Sequence, residues 1–123
     1  MTSTLPSAGA IYLDTDLALS QIGDVEAMNG MLLMLQDALE RDLPLIEDFL
    51  RAGEVANANR LLHSLKGFVP IFSGPELCAQ VVLVEGMSKD SQSTTAAPTY
   101  LALKPKLEQL LAEVRAHLLT VAS

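Results

Sequence analysis

A single cysteine, Cys78, excludes any intrachain disulfide. The fold must be held by packing alone, and such sparing use of thiols agrees with a reducing cytosol. Cys78 itself reads as a small buried hydrophobe. Cations are scarce as well: eight Lys and Arg stand against fifteen Asp and Glu, a net charge of −7. A protein that grips nucleic acid through its phosphates needs a basic face to displace counterions, so the composition argues against that mode of binding. Long apolar runs are missing too. The densest, residues 31–35, is flanked by Asn29, Gln36 and Asp37 and falls far short of the roughly 18 residues that a bilayer crossing takes. Residues 1–10 lack the basic region and apolar segment of a signal peptide, and they are expected to be flexible. The chain is read as soluble and cytoplasmic. No run of alternating β-branched residues occurs, which leaves helices as the building material.

Half of the 123 residues are apolar. That suffices for one domain, over residues 11–121, burying about 65% of the surface its unfolded chain exposes. Asp14 or Thr15 can cap a short helix carrying Leu17, Leu19 and Ile22, which Gly23 would end; this helix is a candidate lid. Asp24 then offers a cap to a longer segment in which Met28, Met31, Leu32, Leu35, Ala38 and Leu39 recur at helical spacing. Methionines 28, 31 and 34 fall at steps of three and are read as core. Pro44 lacks a backbone donor, so the helix is expected to kink or restart behind Asp42 before continuing its stripe through Leu45, Ile46, Phe49 and Leu50.

Gly53 supplies a stop, and a third helix is expected over residues 54–72. Ser73, Gly74 and Pro75 punctuate before a helix bearing Leu77, Val81, Val84 and Met87. Residues 88–98, rich in Ser, Thr and Ala, read as the longest loop. A last helix carries Leu103, Leu107, Leu110, Leu111, Val114 and Leu118, with Pro105 leaving its first turn open. The sum is an all-α domain, an antiparallel four-helix bundle with a short additional N-terminal helix.

Winding residues 54–72 at about 100° per residue places Ala56, Asn59, Arg60, Lys66, Gly67 and Pro70 within about 60° of His63. Ala58, Leu61, Leu62, Leu65, Phe68, Val69 and Phe72 take the remaining arc. His63 is thus centred away from the core. An incidental surface histidine stays open as a reading, but its company counts against it. Arg60 and Lys66 flank it at three residues on either side, and Gly67, one turn above, costs a helix roughly 1 kcal/mol relative to alanine. Close approach of another protein is a reason for that glycine, and the two cations form a positive spot on an acidic molecule.

The string His63-Ser64-Leu65-Lys66-Gly67 resembles the H-x-L-K-G signature of histidine-containing phosphotransfer (HPt) domains, the relay modules of two-component signalling. Upstream, Gly23-Asp24, the apolar segment to Pro44 and the Gly53-Glu54 turn are similar to the family's lead-in; downstream, Leu77, Val84 and Glu85 fall where it has apolar, apolar and polar residues. The likeness covers residues 14–89, and the last helix agrees only in pattern. It implies that His63 accepts the phosphoryl group, that Lys66 helps hold its oxygens, and that Gly67 leaves room for the partner. It further implies that Glu85 orients the histidine and that Lys89 adds positive charge nearby. Arg60 and Asn59 join these as candidates for holding the phosphoryl group or the partner. Phe68, Val69, Pro70 and Ser73 depart from the small residues and glycine usual after the pentapeptide, and Gly74 follows one position late. Pro70 removes the helical partner of the Lys66 carbonyl, so the end of the helix is expected to bend and the docking surface to differ.

A neutral ring nitrogen can attack phosphorus without a dedicated base, and the loose in-line transition state needs alignment and nearby positive charge. Nothing in the sequence suggests an ATP site, since no glycine-rich phosphate loop is present. The resemblance therefore implies a phosphocarrier, with no bound cofactor or metal of its own, that takes phosphate from a receiver-domain aspartate and passes it to another receiver. Mg2+ and the acidic pocket would belong to that partner. Partners would be receiver domains of response regulators and of a hybrid sensor histidine kinase, and the chain is expected to be a monomer. Two other classes stay open: a phosphorylation-silent adaptor using the same helix face, and a purely structural helical module. A metal site from His63, His117 and Cys78 is disfavoured because no paired-ligand spacing occurs, and His117 reads as a helix-end cation or packing residue.

Overall fold

A computed structural model describes residues 10–122 of the chain, which form five α-helices; most of the expected flexible start lies outside the described residues. Helix α1 spans Thr15–Ile22 and α2 spans Val25–Arg51. The start signals work as the sequence suggests. The Asp14 carboxylate accepts from the Leu17 amide at 2.9 Å, and that of Asp24 from the Ala27 amide at 2.8 Å, each satisfying a donor left orphaned in a first turn. Between them Gly23 ends α1 at a φ of 85°, in the left-handed region that a side chain disfavours. Helix α1 packs on α2 and on the turn that follows the third helix, where its buried Ala18 seats it. It does not lie over His63 as a lid.

Pro44 does not divide α2. The helix continues unbroken to Arg51, and its buried stripe of Leu32, Leu35, Leu39, Leu43, Ile46 and Leu50 keeps phase across the proline. Pro44 sits on the exposed side, so its ring has room in solvent while both halves are held by one packed face. From α5, which spans Ala96–Ala122, the buried Tyr100 hydroxyl donates to the Leu43 carbonyl at 2.8 Å, beside the proline. Asp42 is buried inside the helix rather than capping a new one, and it is held by the Arg41 guanidinium at 2.8 Å. The methionines also divide: Met28 is buried, Met31 half-buried, and Met34 faces out, because steps of three drift off a face that repeats every 3.6 residues.

Helix α3 spans Val55–Phe68, ending four residues before the pattern suggested, and tightens into a 3-10 turn at Val69–Ile71. Pro70 is the cause, since it cannot continue the α-helical ladder. The Phe72 and Ser73 amides both donate to the Val69 carbonyl at 3.0 Å. Helix α4 spans Pro75–Ser88. The following loop is residues 89–95 only, because the Ser93 hydroxyl caps the Ala96 amide at 3.2 Å and α5 begins before Pro98, a proline that a first turn accommodates. Pro105 then lies well inside α5, on its exposed side.

The helices pack as α2 on α5 and α3, with α4 on α3 and α5. Lys104, Arg115 and His117 of α5 pair in turn with Glu47, Glu40 and Asn29 of α2, so those two helices run in opposite directions. Leu62, Leu65, Phe72, Leu77, Tyr100, Leu103, Leu107 and Leu110 fill the centre of one continuous core. Cys78 is half-buried, and its thiol donates to the Ser73 carbonyl at 3.4 Å; burial pushes its pKa above the ordinary thiol value. No helix among the described residues is long and apolar enough to cross a membrane.

One carboxylate ties the start of the chain to its end. The Ile11, Tyr12 and Leu13 amides all donate to Glu113 on α5, at 2.9, 2.8 and 2.9 Å, and Gln109 adds a fourth bond at 2.8 Å. The strap is fixed on its other edge by Asp14, whose amide donates to the Phe72 carbonyl at 2.8 Å, and by the Ser73 hydroxyl, which donates to the Tyr12 carbonyl at 2.7 Å. Burial works to raise the Glu113 pKa, but the amides of Leu13, Ile11 and Tyr12 together with Gln109 outweigh it and hold the carboxyl below its ordinary range. Its contribution is therefore complete above the unfolded-state value of about 4.3 and is lost as pH falls through the folded-state value. Glu113→Gln is expected to cost about 1–3 kcal/mol at pH 7. Urea midpoints of variant and wild type, measured from pH 7 downward, should converge at acid pH.

Candidate functional site

Of the sequence-selected residues, Asn59, His63, Lys66 and Lys89 meet Glu85 at the seam between α3 and α4. The Glu85 side chain is only 2% exposed, yet four side chains reach its two oxygens. An uncompensated carboxylate at such a depth would cost several kcal/mol, so the partners decide whether it can be ionised there. Lys66 Nζ lies 3.1 Å from Oε1 and Lys89 Nζ 3.8 Å from the same oxygen. Asn59 Nδ2 donates to Oε2 at 3.3 Å, and the Nδ1 atom of His63 faces Oε2 at 3.5 Å. Burial pushes the Glu85 pKa up; hydrogen bonds from Lys66 and Asn59, with the charges of Lys66 and Lys89, outweigh it and set the carboxyl below its ordinary range. Glu85 is thus an anion at neutral pH.

The local reasons for this gathering are helical. Asn59, His63 and Lys66 follow one another at steps of four and three, which stacks them on one side of α3. Lys89 stands one turn after Glu85, just past the end of α4. Ser88 completes the seam: buried at the end of α4, its hydroxyl donates to the Glu85 carbonyl at 2.8 Å and accepts from Asn59 Nδ2 at 2.9 Å. Asn59 also reaches the Glu85 carbonyl at 3.1 Å. Its amide is therefore turned inward to α4, away from any ligand at the surface.

The His63 side chain is 67% exposed. A separation of 3.5 Å is too long for a strong hydrogen bond, so Glu85 acts on the ring chiefly through charge. An acceptor-only carboxylate beside Nδ1 favours the tautomer with hydrogen there, which leaves the Nε2 lone pair pointing to solvent. With hydrogen on Nδ1, such an arrangement would present the Nε2 lone pair at the surface. Arg60, one turn before His63, is exposed, and its guanidinium makes no hydrogen bond or ion pair among the described residues. It stands outside the Glu85 cluster as a free cation on the same helix face.

The surface about the histidine is low. Gly67 and Gly86 are both exposed inside helices, and a methyl group added at either would meet nothing within 4 Å. Neither glycine is required by the chain's own packing. Beside Gly86, α4 exposes Ala79, Val82 and Leu83, so its outer face is apolar between Glu76 and Lys89. Sequence reasoning missed Ser88, which it assigned to the loop, and the outer face of α4. The serine's spacing of three from Glu85 and the lack of charge on both sides of α4 were the available signals.

The chain matches no protein-family model, no curated protein and no solved structure. The site accordingly rests on its own geometry. Because the Gly67 position is helical and open, Gly67→Ala is expected to raise stability by about 0.5–1 kcal/mol, read as a higher urea midpoint at unchanged slope. A loss of stability would mean that the glycine serves the fold.

Proposed function

We propose that this chain is a histidine phosphotransfer protein of a two-component phosphorelay, working in the cytoplasm as a monomeric antiparallel four-helix bundle with a short additional N-terminal helix. The observation that carries the reading is the pairing of an exposed His63 with a buried, ionised Glu85 behind its Nδ1. The resemblance of residues 63–67 to the H-x-L-K-G signature supports it independently.

In this reading the Nε2 lone pair of His63 attacks the phosphorus of a receiver-domain aspartyl phosphate. A P–N bond forms as the bond from phosphorus to the acyl oxygen breaks, and the electron pair leaves with the aspartate. The proton stays on Nδ1, so the ring becomes a cation facing the Glu85 carboxylate, which stabilises it more than it did the neutral ring. Lys66 and Lys89 lie close enough to offset the incoming phosphoryl charge, and Arg60 adds to the attraction. Transfer onward reverses every step, returning the electron pair to Nε2. Mg2+ and the acidic pocket belong to the receiver, whose approach the two open glycines and the apolar outer face of α4 would permit.

That same surface would serve a phosphorylation-silent adaptor equally well, and His63→Gln separates the two. Purified chain is mixed with labelled phospho-receiver domains. Acid-labile, alkali-stable label is expected on the wild type and is expected to be absent from the variant. Binding without label on either protein would favour the adaptor, and neither binding nor label would leave a structural module. Val82→Glu, which places a charge on the apolar face of α4, is expected to slow transfer from a receiver about tenfold or more through weaker binding. The readout is the dependence of the rate on receiver concentration.

A further inference from the structure

Asn59 lies one turn before His63, yet its amide does not face the surface where chemistry would occur. It spends its two hydrogens on three acceptors of α4: the Ser88 hydroxyl at 2.9 Å, the Glu85 carbonyl at 3.1 Å and Glu85 Oε2 at 3.3 Å. The Ser88 hydroxyl hydrogen is directed to the Glu85 carbonyl, which leaves the serine oxygen free to accept the amide. Asparagine favours turns over helix interiors, and an apolar residue would fill an interhelical seam without these obligations. We propose that Asn59, supported from below by Ser88, is a positioning residue for His63: it fixes the Glu85 carboxylate so that Oε2 faces Nδ1 while Oε1 is left to the lysines.

The division between the two oxygens is the reason. Oε1 is held by Lys66 and Lys89, and Oε2 by Asn59 and the imidazole. Both lysines carry charge on long flexible stems, so a phosphoryl dianion arriving on Nε2 competes with Glu85 for them. A neutral, short amide is drawn far less. When the lysines turn to the phosphoryl group, Asn59 and Ser88 still hold the carboxylate in register with Nδ1. That is when the ring is a cation and the facing charge counts most. The proposal rests on the phosphotransfer reading of His63 and adds to it the part that keeps the ring's proton in place.

The test uses the full chain, and the clamp itself is read without a partner protein. Nitrogen-15 spectra of the His63 ring report its tautomer, and phosphoramidate, a small phosphoryl donor that releases ammonia, reports its reactivity. Wild type is expected to hold the Nδ1–H form. Asn59→Ala should move the ring toward a mixture of tautomers and slow phosphoramidate labelling about three- to tenfold, the worth of one net hydrogen bond. Glu85→Ala should do the same, and the double variant should show no further loss, because Asn59 acts through Glu85. Should Asn59→Ala fold poorly, Ser88→Ala weakens the same clamp from beneath and is expected to shift the tautomer in the same direction. A wild-type tautomer balance and labelling rate in Asn59→Ala, with both altered in Glu85→Ala, overturns the proposal, as do losses that multiply in the double variant. If the tautomer responds but the wild type takes no phosphate from phosphoramidate or from any receiver, the carrier reading fails, and the clamp has no reaction to serve.

Discussion

Glu85 sets the terms for everything around it. A carboxylate almost wholly removed from water between two helices must either be neutral or be surrounded by donors, and here the donors prevail over burial. Meeting that demand fixes where Lys66 and Asn59 of α3, Ser88 of α4 and Lys89 at its C-cap can sit, and so fixes how the two helices are registered. It also leaves one face of the carboxylate toward His63. In the proposed reading the histidine takes its orientation from that charge, while its other nitrogen stays in solvent. The feature that locks the seam is the same one that would prepare the ring in the proposed function.

A second buried glutamate plays a comparable part in the fold. Glu113 gathers three successive amides of the N-terminal strap, and the strap in turn holds the residues that follow the 3-10 turn after α3. The end of the histidine-bearing helix is thus steadied from outside its own hairpin. Pro70 breaks the helical ladder at that point, and the bonds from Ser73 to Tyr12 and from Asp14 to Phe72 replace continuity of helix with contact to the strap. Both glutamates show an acidic chain using buried anions as joints, each satisfied largely by donors drawn from a separate element.

Local signals were legible in the sequence wherever one element settles the matter. Asp14 and Asp24 cap their helices and Gly23 stops one, because capping involves only a few neighbouring residues. The outward placement of His63 followed from winding one helix, since a periodic apolar stripe defines its own opposite face. Pro70 ends its helix as expected, but Pro44 and Pro98 were misjudged for the same local reason: the rule for Pro44 ignores a packed face that holds both halves of α2, and Pro98 was set in a loop because the Ser93 cap could not be foreseen. What depends on two distant elements was hidden. Periodicity could put Lys66 beside His63, but it could not turn that lysine or Asn59 inward to Glu85, nor bring Glu113 to residues 11–13 across about a hundred positions.

If Glu85 holds the ring proton on Nδ1, Nε2 of His63 is the reactive nitrogen. The most direct check is to phosphorylate the nitrogen-15-labelled chain with a receiver domain and locate the phosphorus by its coupling to the ring nitrogens at alkaline pH, where the bond survives. Phosphorus is expected on Nε2, with Nδ1 still facing Glu85. Phosphorus on Nδ1, or on a residue other than His63, would contradict it.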